Sequence, residues 1–388
     1  GAEGVFLLYS RSQTEGQRLL TCIPAMLLCY WCFGYGAWLC LALMLAAGII
    51  AHHQKLSALL AVGILLLPAT QYPATTWWSK PDLDREYVLS LDVEHYFGNI
   101  QKMRKHLETD RQILWVTYYR NLYNATHPSE INSPVSLSRN LLAWNQPGTN
   151  GLILPVNPSA SFLSILFANE LWFTLGDMTM AEHCAMLSMI FSPRNSGSRM
   201  IKRLAEINLV NGDDEAALKY LRILDKTLLH KSWAEKRIPG QQTPRVKEWL
   251  EKKRRDIPTQ DQLRSGNDAV TSLQNLVASN AGNLRAYEYL LCYHLLSKDL
   301  RSFVEDYVPG KVSSPIFAEA LLIHLARQGN IRAEELIKYQ IPVEIAKEFA
   351  DYTRLYEAKD TSLKEKYGKT YWFYYHFATT EPGKESKP

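Results

Sequence analysis

Two stretches near the start of the chain, Leu19 to Ile50 and Leu56 to Trp78, contain no Asp, Glu, Lys or Arg. From about Lys80 onward the pattern changes to apolar positions three and four residues apart, interleaved with charge. The first pattern suits a bilayer; the second suits amphipathic helices that share a core. A helix rises about 1.5 Å per residue and crosses a hydrocarbon layer in about 20 residues, so 19–50 is too long for a single span. Gly34-Tyr35-Gly36 can support a tight turn, which predicts spans near residues 19–33 and 37–51, with a re-entrant hairpin as the alternative. A third span near 56–72 follows the polar tetrad His52-His53-Gln54-Lys55. Its exit is marked by Pro68, Pro73 and the headgroup-level pair Trp77-Trp78. Residues 1–79 therefore read as a transmembrane region.

The rest reads as all-α: N-terminal transmembrane helices followed by an α-solenoid of helix pairs. Leu166-Phe167-Ala168-Asn169-Glu170-Leu171-Trp172, ending at Gly176-Asp177, overlays Arg203-Leu204-Ala205-Glu206-Ile207-Asn208, ending at Gly212-Asp213, at an offset of about 36 residues. Ala181 and Ala217 follow the two turns where a second helix must approach the first, and Pro193 closes the first unit. This resembles the tetratricopeptide pattern of helix, turn and helix, with a longer period and loosely filled aromatic positions. Weaker echoes at Tyr96-Phe97-Gly98-Asn99, Ser297-Lys298-Asp299 and Gln328-Gly329-Asn330 suggest five pairs. The expected order is first helix pairs over 80–131, a loop over 132–160 and two tetratricopeptide-like repeats over 161–230. A basic linker or helix over 231–262, further pairs with an aromatic cap over 263–378 and a disordered tail over 379–388 complete it.

Two interruptions invite a functional reading. The loop Asn132 to Ala160, with Trp144-Asn145-Gln146-Pro147-Gly148, reads as a connection between halves before it reads as a ligand contact. Lys231 to Arg255 carries Lys236, Arg237, Arg245, Lys247, Lys252 and Lys253 with Trp233 and Trp249, a pattern able to touch anionic lipid headgroups. Glu235, Glu248 and Glu251 dilute that charge and favour a solvated face. The aromatic run Tyr371 to Phe377 is too short to span a bilayer and reads as a terminal cap or a subunit contact.

A net charge of +4 does not single out a nucleic-acid binder, and no nucleic-acid partner is expected. Four of the six cysteines lie in the apolar region, which excludes a disulfide scaffold. Cys29-Tyr30-Trp31-Cys32 places two sulfurs on one helix face, yet no neighbour in sequence would activate a thiol, so packing is the favoured reading over redox chemistry. His52 and His53 lack companions at ligand spacing; no metal and no cofactor are expected. No phosphate-binding loop, nucleophile elbow, zinc-protease helix or calcium loop occurs, and no catalytic residue is assigned. Glu94-His95 and His183-Cys184 carry acid-base atoms but sit in apolar helical patterns that favour burial. The few loop charges, Arg11, Arg18 and Lys55 against Lys80 and Arg85, lean toward residues 80 onward lying outside the cytoplasm, in the periplasm of a bacterium. The start at Gly1 without methionine suggests a fragment with further spans upstream.

At Met200-Ile201-Lys202-Arg203-Leu204-Ala205-Glu206-Ile207-Asn208, at Ala286-Tyr287-Glu288-Tyr289-Leu290-Leu291 and at Tyr367-Gly368-Lys369-Thr370-Tyr371-Trp372, the chain resembles an uncharacterised family of multi-pass inner-membrane proteins from Bacteroidota. That resemblance implies location and architecture and carries over no catalytic residue.

The sequence thus predicts a membrane-anchored helical-repeat protein, multi-pass in the inner membrane. It would act as a protein–protein interaction scaffold at the cell envelope, with a protein or peptide partner and membrane lipids around it. Asn169, Trp172, Arg203 and Asn208 are the expected binding positions, placed on exposed groove-facing first helices. The rival is the C-terminal part of a membrane glycosyl or lipid-linked transferase whose catalytic spans lie upstream; thiol redox through Cys29 and Cys32 is a third.

Overall fold

The computed structural model describes residues 83–108, 113–127, 137–145, 147–156, 161–191, 197–259 and 268–378. The three expected spans, the Cys29/Cys32 pair, His52-His53 and the C-terminal tail lie outside these residues. Two compact units divide the chain, Gly1–Glu86 and Tyr87–Pro388. The first is described only over 83–86, so the architecture is that of the second.

Among the described residues every regular element is helical, and no helix is long and apolar enough to cross a membrane. In chain order they are α1 (Leu83–Tyr96), α2 (Ile100–Leu107), α3 (Leu114–Thr126), α4 (Leu141–Trp144), α5 (Phe162–Leu175) and α6 (Met178–Phe191). Then come α7 (Ser198–Asn211), α8 (Asp214–Asp225), α9 (Lys231–Glu235), α10 (Pro244–Arg254), α11 (Ala269–Ser279) and α12 (Leu284–Leu296). The series ends with α13 (Leu300–Asp306), α14 (Pro315–Arg327), α15 (Ala333–Lys338), α16 (Val343–Glu357), α17 (Leu363–Tyr367) and α18 (Tyr371–Phe377).

One local device produces most of the turns. At the end of α5 the chain reverses through Gly176 at φ 93°, and the Asp177 amide reaches back to the Trp172 carbonyl at 3.0 Å. This is the reach-back bond that closes a helix on a left-handed residue. The Asp177 side chain then accepts from the Met180 amide at 2.9 Å, capping α6. Gly212-Asp213 repeats the arrangement between α7 and α8, with Asp213 N to Asn208 O at 2.9 Å and Ala216 N to Asp213 Oδ1 at 2.9 Å. Lys298-Asp299 between α12 and α13 and Gly329-Asn330 after α14 close their helices in the same way. A residue tolerating positive φ followed by Asp or Asn is what makes these helix pairs legible in the sequence.

Successive helices pack on one another: α5 on α6, α6 on α7, α7 on α8, then α11 on α12, α12 on α13 and α13 on α14. Ala181 and Ala217 are fully buried, and the Ala181 carbonyl takes a hydrogen bond from Asn169 Nδ2 at 2.6 Å. Small residues there let the backbones approach. One apolar cluster runs from Val88 to Tyr374, with two satellites beneath α7, α8 and α9.

The described part of the expected loop over 132–160 is more structured than its Asn- and Gly-rich composition suggests. It holds a 3-10 turn at Ser138–Asn140 and the short α4, and it buries Leu152 and Leu154. Asn121 and Asn145 exchange amide hydrogen bonds at 2.8 and 3.0 Å, and Asn121 also donates to Gly151 O. Those polar side chains satisfy one another inside the core, although composition alone marks the segment as a solvated connector. At the other end, α18 packs on α14 and buries Tyr371 and Trp372. The Tyr371 hydroxyl donates to Leu295 O and Trp372 Nε1 to Glu319 O, so the aromatic run closes the array with its polar atoms satisfied.

Candidate functional site: a basic and aromatic face on α7

Helix α7 is apolar on most sides. Ile207, Leu209 and Val210 enter the main core, Ala205 one satellite, and Met200 and Leu204 the other. What remains is a stripe of Arg199, Lys202, Arg203 and Glu206, spaced i, i+3, i+4 and i+7 and therefore on one helix face.

Carboxylates from two other helices meet that stripe. Arg199 makes a two-pronged contact with Asp92 of α1 at 2.6 and 2.8 Å and reaches Glu170 of α5 at 2.9 Å. Arg203 Nη2 lies 2.5 Å from the other Glu170 oxygen, and its Nη1 lies 3.2 Å from Glu206. Tyr119 of α3 donates to Asp92 at 2.6 Å, and His95 Nε2 stands 3.6 Å from Glu170. Burial alone would push the Glu170 carboxyl up, but Arg203, a hydrogen bond from His95 and Arg199 together hold it well below the usual carboxylate range. The network fastens four helices to one another.

Further cations converge without carboxylates of their own. Lys202 Nζ donates to the Tyr96 hydroxyl at 2.7 Å and lies 4.8 Å from the Trp233 ring centroid. The Arg237 guanidinium lies 4.0 Å over the same Trp233 ring. Arg203 stacks 3.8 Å over Phe173, and Lys253 Nζ sits 4.6 Å from that ring. Lys253 is aimed here by its neighbour: Arg254 caps the last turn of α7 by donating to Leu209 O at 2.7 Å and Val210 O at 3.0 Å, which holds α10 in place.

Neither Arg237 nor Lys253 has a carboxylate within 4 Å among the described residues, although both are partly buried. Burial lowers the Lys253 ammonium to about 8, with Arg203 and Arg285 adding repulsion. Burial likewise lowers Arg237. The Nε groups of Arg199, Arg203 and Arg237 are buried with no hydrogen-bond partner. Among the described residues, Arg199, Lys202, Arg203, Arg237 and Lys253 around one helix face confront Asp92, Glu170 and Glu206, with Asp256 near Lys253 already paired to Arg285. Excess positive charge, spare N–H donors and aromatic walls make this a place where an anionic group gains both charge and hydrogen bonds.

Of the four positions expected on an exposed groove wall, none is exposed. Asn169 is 0 %, Trp172 1 %, Arg203 8 % and Asn208 9 % accessible. Asn169 is occupied with Ala181, Asn208 Nδ2 donates to Leu204 O at 2.7 Å, and Trp172 is core. Only Arg203 belongs to the α7 face. The expectation fails because α5 is buried on all sides, so its polar and aromatic residues carry no mark of a solvent face. The residues missed, Arg199, Lys202 and Glu206, are signalled by the i, i+3, i+4, i+7 stripe. Glu94-His95 contributes His95 to the Glu170 cluster, whereas Cys184 is buried in the main core. Among the described residues no group of three His, Cys, Asp or Glu side chains is placed to hold a metal.

A protein-family model described as a family of unknown function (DUF6057) matches residues 57–378. No curated protein and no solved structure matches the chain.

Proposed function

The chain belongs to the DUF6057 family, a family of unknown function, and we propose that its helical-repeat unit is an interaction module that holds an acidic segment of a partner protein along the basic and aromatic face of α7. The observation that carries this reading is the pair Arg237 and Lys253, cations packed on Trp233 and Phe173 with no carboxylate beside them. Keeping such charges partly buried costs stability that an anionic occupant returns. The aromatic rings add apolar contact for the side chains between the partner's carboxylates.

In this reading the uncharged stretches 19–50 and 56–78 anchor the module to the inner membrane as three spans. The module then acts outside the cytoplasm as a tetratricopeptide-like scaffold.

The test is a titration of the full chain in lipid nanodiscs with a short fluorescent peptide rich in Glu and Asp, against its Gln and Asn counterpart. Preference for the acidic peptide, weakening with salt and falling at least about ten-fold in Arg237→Glu/Lys253→Glu, supports the module. Equal binding of both peptides, or no effect of the double variant, ends it. Crosslinked capture from native membranes with the same variant then reads the partner. A lipid-linked sugar retained without any protein would replace the scaffold with the transferase.

A further inference from the structure

A second, separate feature lies at the start of α14. A cavity of about 800 Å³ opens between the 3-10 turn at Ser138–Asn140, the first turn of α14 and the connection from α17 to α18. It is of the size that small organic ligands fill. Ser138, Arg139, Ser314, Ile316, Glu319 and Lys369 supply its polar and backbone lining.

The N-terminus of α14 is unfinished in a particular way. Pro315 takes the first helical position and carries no N–H, while the amides of Phe317 and Ala318 turn back to Ser314 O. The Ile316 amide has no acceptor among these turn bonds, and it faces the end of a helix whose dipole favours negative charge. The N-cap residue ordinarily closes such an end with its side chain, but Ser314 makes no capping bond. Its hydroxyl is also buried without any hydrogen-bond partner, in a residue only 6 % accessible. A serine hydroxyl left unpartnered in a cavity wall is a donor waiting for an acceptor.

The surroundings set the sign of that acceptor. Arg139 and Lys369 stand at the rim, both exposed, and Lys369 has no carboxylate within 4 Å among the described residues. The turn bearing Arg139 is fixed from below, because Ser138 donates both its amide and its hydroxyl to Glu288 at 2.8 and 2.7 Å. The one carboxylate in the wall, Glu319, accepts the Tyr371 amide and is pushed up to about 7 by burial and by Glu348. Burial thus works against a full negative charge on this carboxylate in the wall.

We infer that this cavity binds a small molecule through an oxyanion, a phosphate or carboxylate seated on the Ser314 hydroxyl and the Ile316 amide, with Lys369 and Arg139 closing over it. The rest of the volume accommodates the organic part of that molecule against Leu142 and Ile316. The site is distinct from the α7 face and does not depend on its function.

The experiment is calorimetric titration of the full chain with inorganic phosphate, glycerol 3-phosphate and acetate in parallel. Amide shifts in ¹⁵N-labelled protein are followed alongside. Saturable binding with the Ile316 amide among the largest shifts is expected. Glycerol 3-phosphate binding more tightly than phosphate identifies an organic phosphate, and acetate binding best identifies a carboxylate. Lys369→Glu, at an exposed position, should weaken the preferred anion at least about ten-fold, and Ser314→Ala should weaken it several-fold. Absence of saturable binding by all three probes overturns the inference, as do shifts confined to other regions or unchanged affinity in Lys369→Glu.

Discussion

Glu170 on α5 and Arg203 on α7 meet at 2.5 Å across 33 residues of sequence, with both side chains almost out of solvent. An ion pair in this setting stabilises only while it is complete, because either charge alone would be stranded. Glu170 also serves Arg199, so its loss takes a buried partner from two guanidinium groups at once, leaving Arg199 to Asp92 and Arg203 to Glu206. Glu170→Gln is therefore expected to destabilise the unit by about 3–5 kcal/mol in urea unfolding. A change below about 1 kcal/mol would show that water already solvates the network.

The same carboxylate sets an acid limb. Its folded pKa lies below the value near 4.3 that an unfolded glutamate shows. Its contribution is thus complete above about pH 4.3 and lost as pH falls through the depressed folded value. Difference curves between wild type and Glu170→Gln, followed by circular dichroism from neutral pH down to acid, should converge at the acid end. Parallel curves throughout would remove Glu170 from the limb.

Lys253 gives a slope of the same sign at alkaline pH. Its folded value is about 8, below the value near 10.4 of an unfolded lysine, so the folded chain holds fewer protons in that window. Stability attributable to Lys253 rises as pH rises from about 8 to 10.4. Affinity for an acidic peptide, which needs the ammonium, falls through about 8. Lys253→Arg should keep the affinity at pH 9 that wild type loses. Equal losses in both proteins would place the titrating group elsewhere.

Two glycines that look alike in sequence should behave differently. Gly176 and Gly212 both carry positive φ before an Asp cap, yet a Cβ at Gly176 would meet the Asp256 carbonyl oxygen at 2.3 Å, whereas nothing lies within 4 Å of one at Gly212. Gly212→Ala is expected to cost about 1 kcal/mol, the strain of a left-handed residue with a side chain. Gly176→Ala should cost clearly more, since backbone must move as well. Denaturant midpoints of the two variants measure the difference; equal shifts would mean that the loop holding Asp256 yields freely.

The contrast between the turns and the α7 face explains what the sequence could disclose. Gly176-Asp177 and Gly212-Asp213 encode their geometry locally, so the helix pairs are legible from the order of residues alone. The α7 face depends on Asp92, 107 residues from Arg199, and on Glu170, 29 residues from it. Nothing local marks those partners. A stripe such as Arg199, Lys202, Arg203 and Glu206 ordinarily reads as a solvated face, and only the packing of α1, α5 and α10 around it turns it into a partly buried site. Asn169 and Trp172 mislead for the complementary reason. Eleven of the fourteen residues of α5 are buried, so no periodicity separates a groove face from a core face.

The turn device also yields a prediction about two lysines that occupy glycine-like positions. Lys298 at φ 60° and Lys359 at φ 52° both hold left-handed backbone that costs a side-chain-bearing residue about 1–2 kcal/mol. Lys359 is exposed and makes no ion pair or side-chain hydrogen bond among the described residues, so Lys359→Gly relieves about 1–2 kcal/mol of left-handed strain, less about 0.4–1 kcal/mol for the greater freedom of glycine in the unfolded chain, and a small net stabilisation is expected. Lys298 is different, because its ammonium donates to Tyr375 O at 2.9 Å and to Ala378 O, tying the end of α18 to the turn after α12. Lys298→Gly would relieve the backbone but release the C-terminal carbonyls of α18, which a cation stabilises. Hydrogen exchange should report a stabilised turn in Lys359→Gly and faster exchange in α18 of Lys298→Gly. If Lys298→Gly protects α18 as well as wild type does, the aromatic helix is held by its side chains, among them Tyr371, Trp372 and Tyr374, without the Lys298 ammonium.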